Sequence, residues 1–270
     1  MGDIQGKVAL ITGASSGIGA ALAEEFARRG ADLVLVARRE GRLEAVADAV
    51  RTKGRRAVAV RGDVTRDGDL QRAVAAGLEE LGRIDFVVAN AGFGVSGPHQ
   101  KLTLEDFERQ FDTNVYGVLR TLYASRDALL ASKGCLAIMG SVAGCVPLAG
   151  SAPYSMSKAA VHALAGSIRY ELAPKGVAVT LVVPGFVDSQ IRRVNNRGEF
   201  RPHAADPVPA WLRMRVSVAA RKIVGAMVRR RPVRVLTLHG RVVVFIQRHA
   251  PWLIRAVVRA FGVRDSHQGR

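Results

Sequence analysis

A short apolar run, Lys7 to Ile11, feeds directly into Thr12-Gly13-Ala14-Ser15-Ser16-Gly17-Ile18-Gly19, and a helical pattern from Ala20 to Arg29 follows and stops at Gly30. Few local sequences leave a chain so little choice. The run is of buried-strand type, and a glycine-rich turn between strand and helix aims backbone N–H groups and a helix N-terminus at an anion. Gly13 permits the tight turn, Gly17 lets a pyrophosphate approach the backbone, and Gly19 lets the helix pack closely on the strand. Glycine-rich turns are common; the strand before this one and the helix after it are the context that makes it a phosphate cradle.

The alternation continues. A strand from Asp32 to Ala37 ends in Ala37-Arg38-Arg39-Glu40. An acid near this strand end would suit the 2′-hydroxyl of an NAD ribose, whereas Arg38 and Arg39 suit a 2′-phosphate. NADP(H) is therefore the preferred cofactor and NAD(H) the alternative; arginines on a solvated helix start are the plainer reading. Helix Glu40 to Lys53, strand Ala57 to Arg61 and the turn Gly62-Asp63-Val64-Thr65 come next. Asp63 is placed either to reach an adenine edge or to cap the following helix. Helix Asp67 to Leu81 precedes strand Ile84 to Ala89, which ends in Asn90-Ala91-Gly92, a turn with a small residue for close approach of a ligand. Helical patterns cover Leu104 to Asn114 and on to Leu130, then strand Gly134 to Gly140, a helix to Leu172, and strand Val177 to Val183 ending in Pro184-Gly185. Val208 to Val228 reads as a helix and Val233 to Leu238 as a seventh strand. This rhythm describes an α/β fold, a doubly wound parallel sheet of about seven strands with helices on both faces.

Between Gly140 and Ala160 stand Ser141, Tyr154 and, four residues later, Lys158. On a helix that spacing puts phenol and ammonium on one face. A free tyrosine titrates near about 10, too high for proton transfer at neutral pH; a neighbouring ammonium favours the phenolate and lowers that value. Ser141, at a strand end, can donate a hydrogen bond to a carbonyl oxygen at the same place. A lysine snorkelling along an amphipathic helix is the plainer account of the pair.

Taken together these motifs closely resemble the short-chain dehydrogenase/reductase family over about Gly6 to Ser189. The marks occur in order: Thr12 to Gly19, Asp63-Val64, Asn90 to Gly92, Asn114-Val-Tyr-Gly117, Ser141, Tyr154 to Lys158 and Pro184-Gly-Phe-Val187. The resemblance implies a Rossmann-type fold and a nicotinamide-dependent oxidoreductase. It implies that Tyr154 is proton donor or base, that Lys158 holds the nicotinamide ribose and acidifies Tyr154, that Ser141 orients the carbonyl and that Asn114 positions a relay water. Pro184, Gly185 and Val187 would line the nicotinamide pocket, and Ser189 would contact the carboxamide. The cofactor set it implies further includes Ser15, Ser16, Ile18 and Val64. Two departures stand out: Ser16 lies where many NADP-using members have a basic residue, and Met156 replaces a small one. The family also implies pairing of subunits through Leu104–Leu130 and Tyr154–Leu172.

The net charge of +17 belongs to the C-terminal third, for residues 192–270 hold 18 Lys and Arg against 3 acids. A substrate loop is expected over about 186–210, with Arg192, Arg193, Arg197, Phe200, Arg201 and Pro202. Residues 1–238 read as one oxidoreductase domain and 239–270 as a basic amphipathic helical extension. In that tail Arg241, Arg248 and Arg255 recur every seven residues and Arg259 follows, set opposite bulky apolar residues from Val242 to Phe261. Packing on the domain or a second subunit, an interfacial helix on an anionic membrane, and nucleic-acid contact all fit such a pattern. Two cysteines and scattered histidines have no metal-ligand spacing, so no metal is expected. No signal or spanning segment is read, and a cytoplasmic enzyme is expected. The leading function is NADP(H)-dependent interconversion of a ketone or aldehyde and an alcohol on a small to medium apolar substrate, lipid-, polyketide- or steroid-like. The alternative is a non-catalytic dinucleotide sensor whose tail grips membrane or nucleic acid.

Overall fold

The computed structural model describes residues 4–147, 149–201 and 203–261. Seven strands form one parallel sheet: β1 (Val8–Thr12), β2 (Asp32–Ala37), β3 (Ala57–Arg61), β4 (Phe86–Ala89), β5 (Cys135–Met139), β6 (Ala178–Val183) and β7 (Val233–Val235). Their order is β3-β2-β1-β4-β5-β6-β7. The order reverses between β1 and β4, so the carboxyl ends of those two strands open a crevice, the place where doubly wound sheets bind ligands.

Strand periodicity divides the core in two. Ala9 and Ile11 of β1, with Leu33 and Leu35 of β2, pack against α1 (Gly17–Arg28), α2 (Glu40–Arg51) and α7 (Val216–Val228). Val8 and Leu10 face the other way, onto α3 (Asp69–Leu81), α5 (Gly117–Ser132) and α6 (Ala152–Leu172). Successive side chains of a strand point to opposite faces, and because both faces are covered the strands are apolar throughout rather than alternating. α4 (Leu104–Phe111) joins α5 through a π-helical turn, Asp112–Tyr116.

Several expected elements are a residue or two shorter than read, and two are cut back further. The helix expected from Val208 begins at Val216, with only a short 3-10 turn at Ala210–Leu212 before it. Met214 is held extended instead, donating to Phe186 O and accepting from Asp188 N, both at 2.9 Å, and pairing with Val187 as an isolated bridge. The seventh strand stops at Val235 because the Thr237 side chain accepts from Gly240 N at 3.2 Å. That N-cap starts α8 (Leu238–His249), which α9 (Pro251–Phe261) follows.

Candidate active site

The glycine turn is braced from the next strand of the crevice. Thr12 Oγ1 donates to Val88 O at 3.3 Å and accepts from Asn90 N and Ala91 N at 3.1 and 3.2 Å. The Asn90 amide donates to Thr12 O and Gly13 O at 2.9 and 3.3 Å. Gly13 needs its positive φ of 67°, and a Cβ at Gly19 would sit 2.3 Å from Gly13 O. Gly19 thus packs on the turn itself. The first turn of α1 carries no acid, and its N-cap Ser16 makes no side-chain cap bond, so the cradle fits a phosphate anion.

Arg39 reaches this cradle from the end of β2. Its Nη2 donates to Ser16 Oγ at 2.7 Å and to Ser15 Oγ at 3.1 Å, which fills from another strand the basic position that Ser16 itself lacks. Burial, and then the charges of Arg42 and Arg38, depress the Arg39 guanidinium below its ordinary value. Three cations crowded together are relieved by an anion. Arg42, in the first turn of α2, escaped the sequence reading; its signal is the three-residue helical step from Arg39. Arg38 lies 3.8 Å from Asp63 Oδ2 and donates to Gly198 O at 3.4 Å. Asp63 does not cap α3. Its Oδ1 accepts from Thr65 N and Oγ1 at 3.0 and 2.8 Å, holding the turn after β3. Val64 is buried under Gly117.

Across the crevice α6 opens at Ala152, which places Tyr154 in its first turn and Lys158 one turn on. Ser141 follows β5 and its Oγ accepts from Ala143 N at 3.1 Å, and its side chain acts to lower the pKa of Tyr154. The Lys158 Nζ lies 5.7 Å from the centre of the Tyr154 ring. Asn114 sits on the π-helical turn, a distortion frequent at functional sites. Fully buried, it donates from Nδ2 to Phe93 O at 3.0 Å and Ser157 Oγ at 3.2 Å, and accepts from Phe93 N at 3.2 Å. Three separate stretches of sequence therefore converge, bringing together Asn114, Ser141 and the Tyr154–Lys158 pair.

The electrostatics differ from the expectation that the ammonium lowers the phenol. Burial pushes Tyr154 above its ordinary value, and the opposing Ser141 side chain and Arg192 charge do not overcome it. Lys158 is itself desolvated, which lowers it to about 8, and its Nζ donates to Met139 O at 2.7 Å. A lysine lowered from 10.5 to about 8 leaves the unfolded chain holding the extra proton between those values, so the free energy of unfolding rises with pH there. Without added cofactor, urea unfolding of wild type against Lys158→Met will show wild type gaining relative stability as the pH is raised from about 8 to about 10.

His162, one further turn along α6, also escaped the sequence reading. Its Nε2 accepts from Ser141 N at 3.2 Å and its Nδ1 lies 3.6 Å from Cys145 Sγ. Burial, and then the Lys158 charge, hold it down to about 4, so it stays neutral and anchors the backbone of Ser141. The available signal was its position four residues after Lys158.

Past β6, Pro184 O accepts from Val142 N at 2.9 Å, and a Cβ at Gly185 would strike Thr237 and His239. Val187 is buried and Ser189 lies against Gly17; both Gly17 and Ser189 line a cavity of about 490 Å3. The loop beyond is tied down by Arg192, whose Nε and Nη2 donate to Asp206 at 2.7 and 2.6 Å. Arg42 stacks over Phe200 at 5.2 Å, so the loop closes onto the arginine cluster. Pro202 lies outside the described residues. Among those residues no group of His, Cys, Asp and Glu could hold a metal.

The family model for short chain dehydrogenase matches residues 7–199. An uncharacterized oxidoreductase of Staphylococcus epidermidis is 37% identical over 200 residues, covering 74% of this chain and 86% of that one. An 11-beta-hydroxysteroid dehydrogenase A of Sesamum indicum is 35% identical over 237 residues, 84% of this chain and 67% of that one. Among solved structures, a short chain dehydrogenase/reductase from Burkholderia phymatum in complex with NAD superposes with a TM-score of 0.82 at 28% identity, covering 94% and 97% of the two chains. A short-chain dehydrogenase from Sphingobium yanoikuyae in complex with NADPH gives 0.75 at 33% identity, covering 97% and 98%. With the phosphate cradle at the switch point and the Tyr154 cluster facing it, this chain belongs to the short-chain dehydrogenase/reductase family of NAD(P)-dependent oxidoreductases that act on CH–OH and C=O groups.

Proposed function

We propose that this chain is an NADP(H)-preferring reductase of ketones or aldehydes, or dehydrogenase of the matching secondary alcohols, on a small to medium apolar substrate. Residues 1–238 form its catalytic domain and 239–270 an appended basic segment. The observation that carries the reading is the Tyr154 phenol, with Ser141 acting to lower its pKa and Lys158 Nζ 5.7 Å from its ring, opposite the glycine cradle. A bound nicotinamide supplies or accepts the hydride. Tyr154 then passes its proton to the oxygen of the carbonyl as that oxygen gains negative charge, and Ser141 Oγ holds the same oxygen in place. Lys158, lowered to about 8 and therefore still an ammonium at neutral pH, would favour the phenolate left behind and hold the nicotinamide ribose. Asn114, fixed by Phe93 and Ser157, positions the water through which the proton is replaced. Pro184, Gly185, Val187 and Ser189 would border a bound nicotinamide, and Asp63 with Asn90, Ala91 and Gly92 would border the adenosine half.

Arg39 on Ser15 and Ser16, with Arg38 and Arg42 beside it, supports the 2′-phosphate preference. The likeness to a plant protein named for a steroid substrate supports an apolar, steroid- or lipid-like one here. Exposed Tyr116 and Tyr123 on the π-turn and α5, with Met156 and Tyr170 on α6, support pairing of two copies through these helices.

The test is NADPH oxidation across a panel of aldehydes, ketones and steroid-like carbonyls. Arg39→Ala will weaken NADPH binding about 10- to 100-fold while leaving NADH within about twofold, since a charge-assisted pair to the phosphate is worth about 1.5–3 kcal/mol. Equal losses for both cofactors would remove the 2′-phosphate argument. Inactivity across the whole panel with NADPH still bound would favour the non-catalytic sensor.

A further inference from the structure

The α8–α9 pair leaves bulky apolar side chains in water, with Phe245 resting on the His249 ring at 4.5 Å. Leu238 is 74% exposed, Phe245 64%, Trp252 61% and Val242 50%. On α8, positions 238, 242 and 245 fall on one side of the helix at steps of three and four. Arg241 and Arg248 are exposed along one border of that side. The arginines therefore flank the apolar face, where the sequence had suggested they oppose it; the side chains of Val257, Val258, Arg259 and Phe261 lie outside the described residues. The inner side of α8 is fully used. Gly240 packs against Thr237 and Val142, His239 Nε2 accepts from Phe186 N at 3.2 Å and stacks on its ring, and Val243 and Ile246 are partly buried. The helix is thus anchored beside Ser141 and Pro184 with its outer side uncovered.

Charge identifies what covers it. Residues 207–264 contain thirteen Lys and Arg and no Asp or Glu, so the partner is anionic. A second copy would set arginine against arginine. Nucleic-acid phosphates would satisfy the arginines yet leave Leu238, Phe245 and Trp252 in water. A lipid surface meets both needs, with acidic headgroups for Arg241, Arg248 and Arg255 and the acyl boundary for the bulky side chains. Aromatic rings such as those of Phe245 and Trp252 suit that depth. No described helix is long and apolar enough to cross a membrane. We infer that the face formed by α8 and the start of α9 docks this enzyme, in the plane of the interface, on an anionic lipid surface.

The test is flotation of the full chain with vesicles of phosphatidylcholine alone or with about one third phosphatidylglycerol, at low and high salt. Wild type will float with the acidic vesicles, less so at high salt, and not with the neutral ones. Arg241→Gln and Arg248→Gln will each lower the partition coefficient about fivefold. The double variant Phe245→Ser/Trp252→Ser will remain in solution, with thermal midpoint and NADPH binding unchanged because both side chains are exposed. Failure of wild type to float overturns the inference, as does flotation that survives the double variant or ignores vesicle charge. A change of sedimenting mass in the double variant without loss of flotation would assign the face to a second copy. Salt-sensitive DNA retention without flotation would assign it to nucleic acid. Flotation reads no turnover, so its failure and failure of the proposed activity are told apart.

Discussion

Tyr154→Phe will lower the rate of carbonyl reduction about 100- to 10,000-fold and leave NADPH bound within about twofold of wild type, the loss associated with removing a general acid. The substitution deletes one oxygen. The ring stays packed against Gly94, whose Cβ position lies 3.5 Å from it, and Lys158 keeps its bond to Met139 O. The glycine cradle and Arg39 stand on other elements and are untouched. What is lost is the proton donor. Because burial holds Tyr154 above its ordinary value, the wild-type phenol is protonated throughout the neutral range, the form required for reducing a carbonyl. The reductive rate should therefore be flat through neutral pH and fall only on the alkaline side, while the residual rate of the variant loses that fall. Single-turnover NADPH oxidation, with binding read by nucleotide fluorescence, decides it. An unchanged rate in the variant would mean that the proton comes from elsewhere.

Much of this arrangement was written in local sequence. β2 and β3 begin and end where the residues indicated, because each apolar run is bounded by charge or by a glycine turn. The order of the motifs placed Ser141, Tyr154 and Lys158 at one strand end and one helix start, where the structure has them. The unread parts depend on contacts distant in sequence. Nothing local to Val208–Arg215 forbids a helix beyond Pro209; the bond from Met214 N to Phe186 O does. The path of Arg39 back to Ser15 and Ser16 is a side-chain choice set by the β1–β2 pairing. The direction in which Tyr154 shifts is likewise set by how much protein covers it, which spacing between phenol and ammonium does not encode. The role of His162 required knowing that Gly140 leaves room for its ring, since a Cβ there would fall 2.3 Å from Nε2.

At the amino ends of the sheet's central strands, opposite the crevice, Asp85→Ala will destabilise the chain by about 3 kcal/mol, although it lies far from any chemistry. Asp85 ends the loop before β4 and is 4% exposed. Its Oδ2 accepts from Val8 N at 3.0 Å and from Arg83 Nε at 2.8 Å, its Oδ1 accepts from Arg83 Nη2 at 2.6 Å, and Lys7 Nζ lies 3.1 Å away. Its own backbone bridges Val8 O and Cys135 N, both at 2.8 Å, so one residue ties the starts of β1, β4 and β5. Burial alone would raise its carboxyl, but the Arg83 fork, the Val8 N–H and the Lys7 ammonium together hold it below the ordinary carboxylate range. Truncation leaves Val8 N without its acceptor and two cations without their anion. Arg83 and Lys7 are 44% and 39% exposed, so water recovers part of that loss and the low end of the range for breaking a buried pair applies. A carboxylate whose folded value is depressed contributes above the unfolded value of about 3.9 and loses its contribution as the pH falls through the folded one. The gap between wild type and Asp85→Ala in urea unfolding should therefore be full at neutral pH and narrow below about pH 4. Arg83→Ala should cost about 1 kcal/mol or less, since Lys7 and Val8 still satisfy the carboxylate. A variant Asp85→Ala within about 0.5 kcal/mol of wild type would show that β1, β4 and β5 are held in register by their ladder alone.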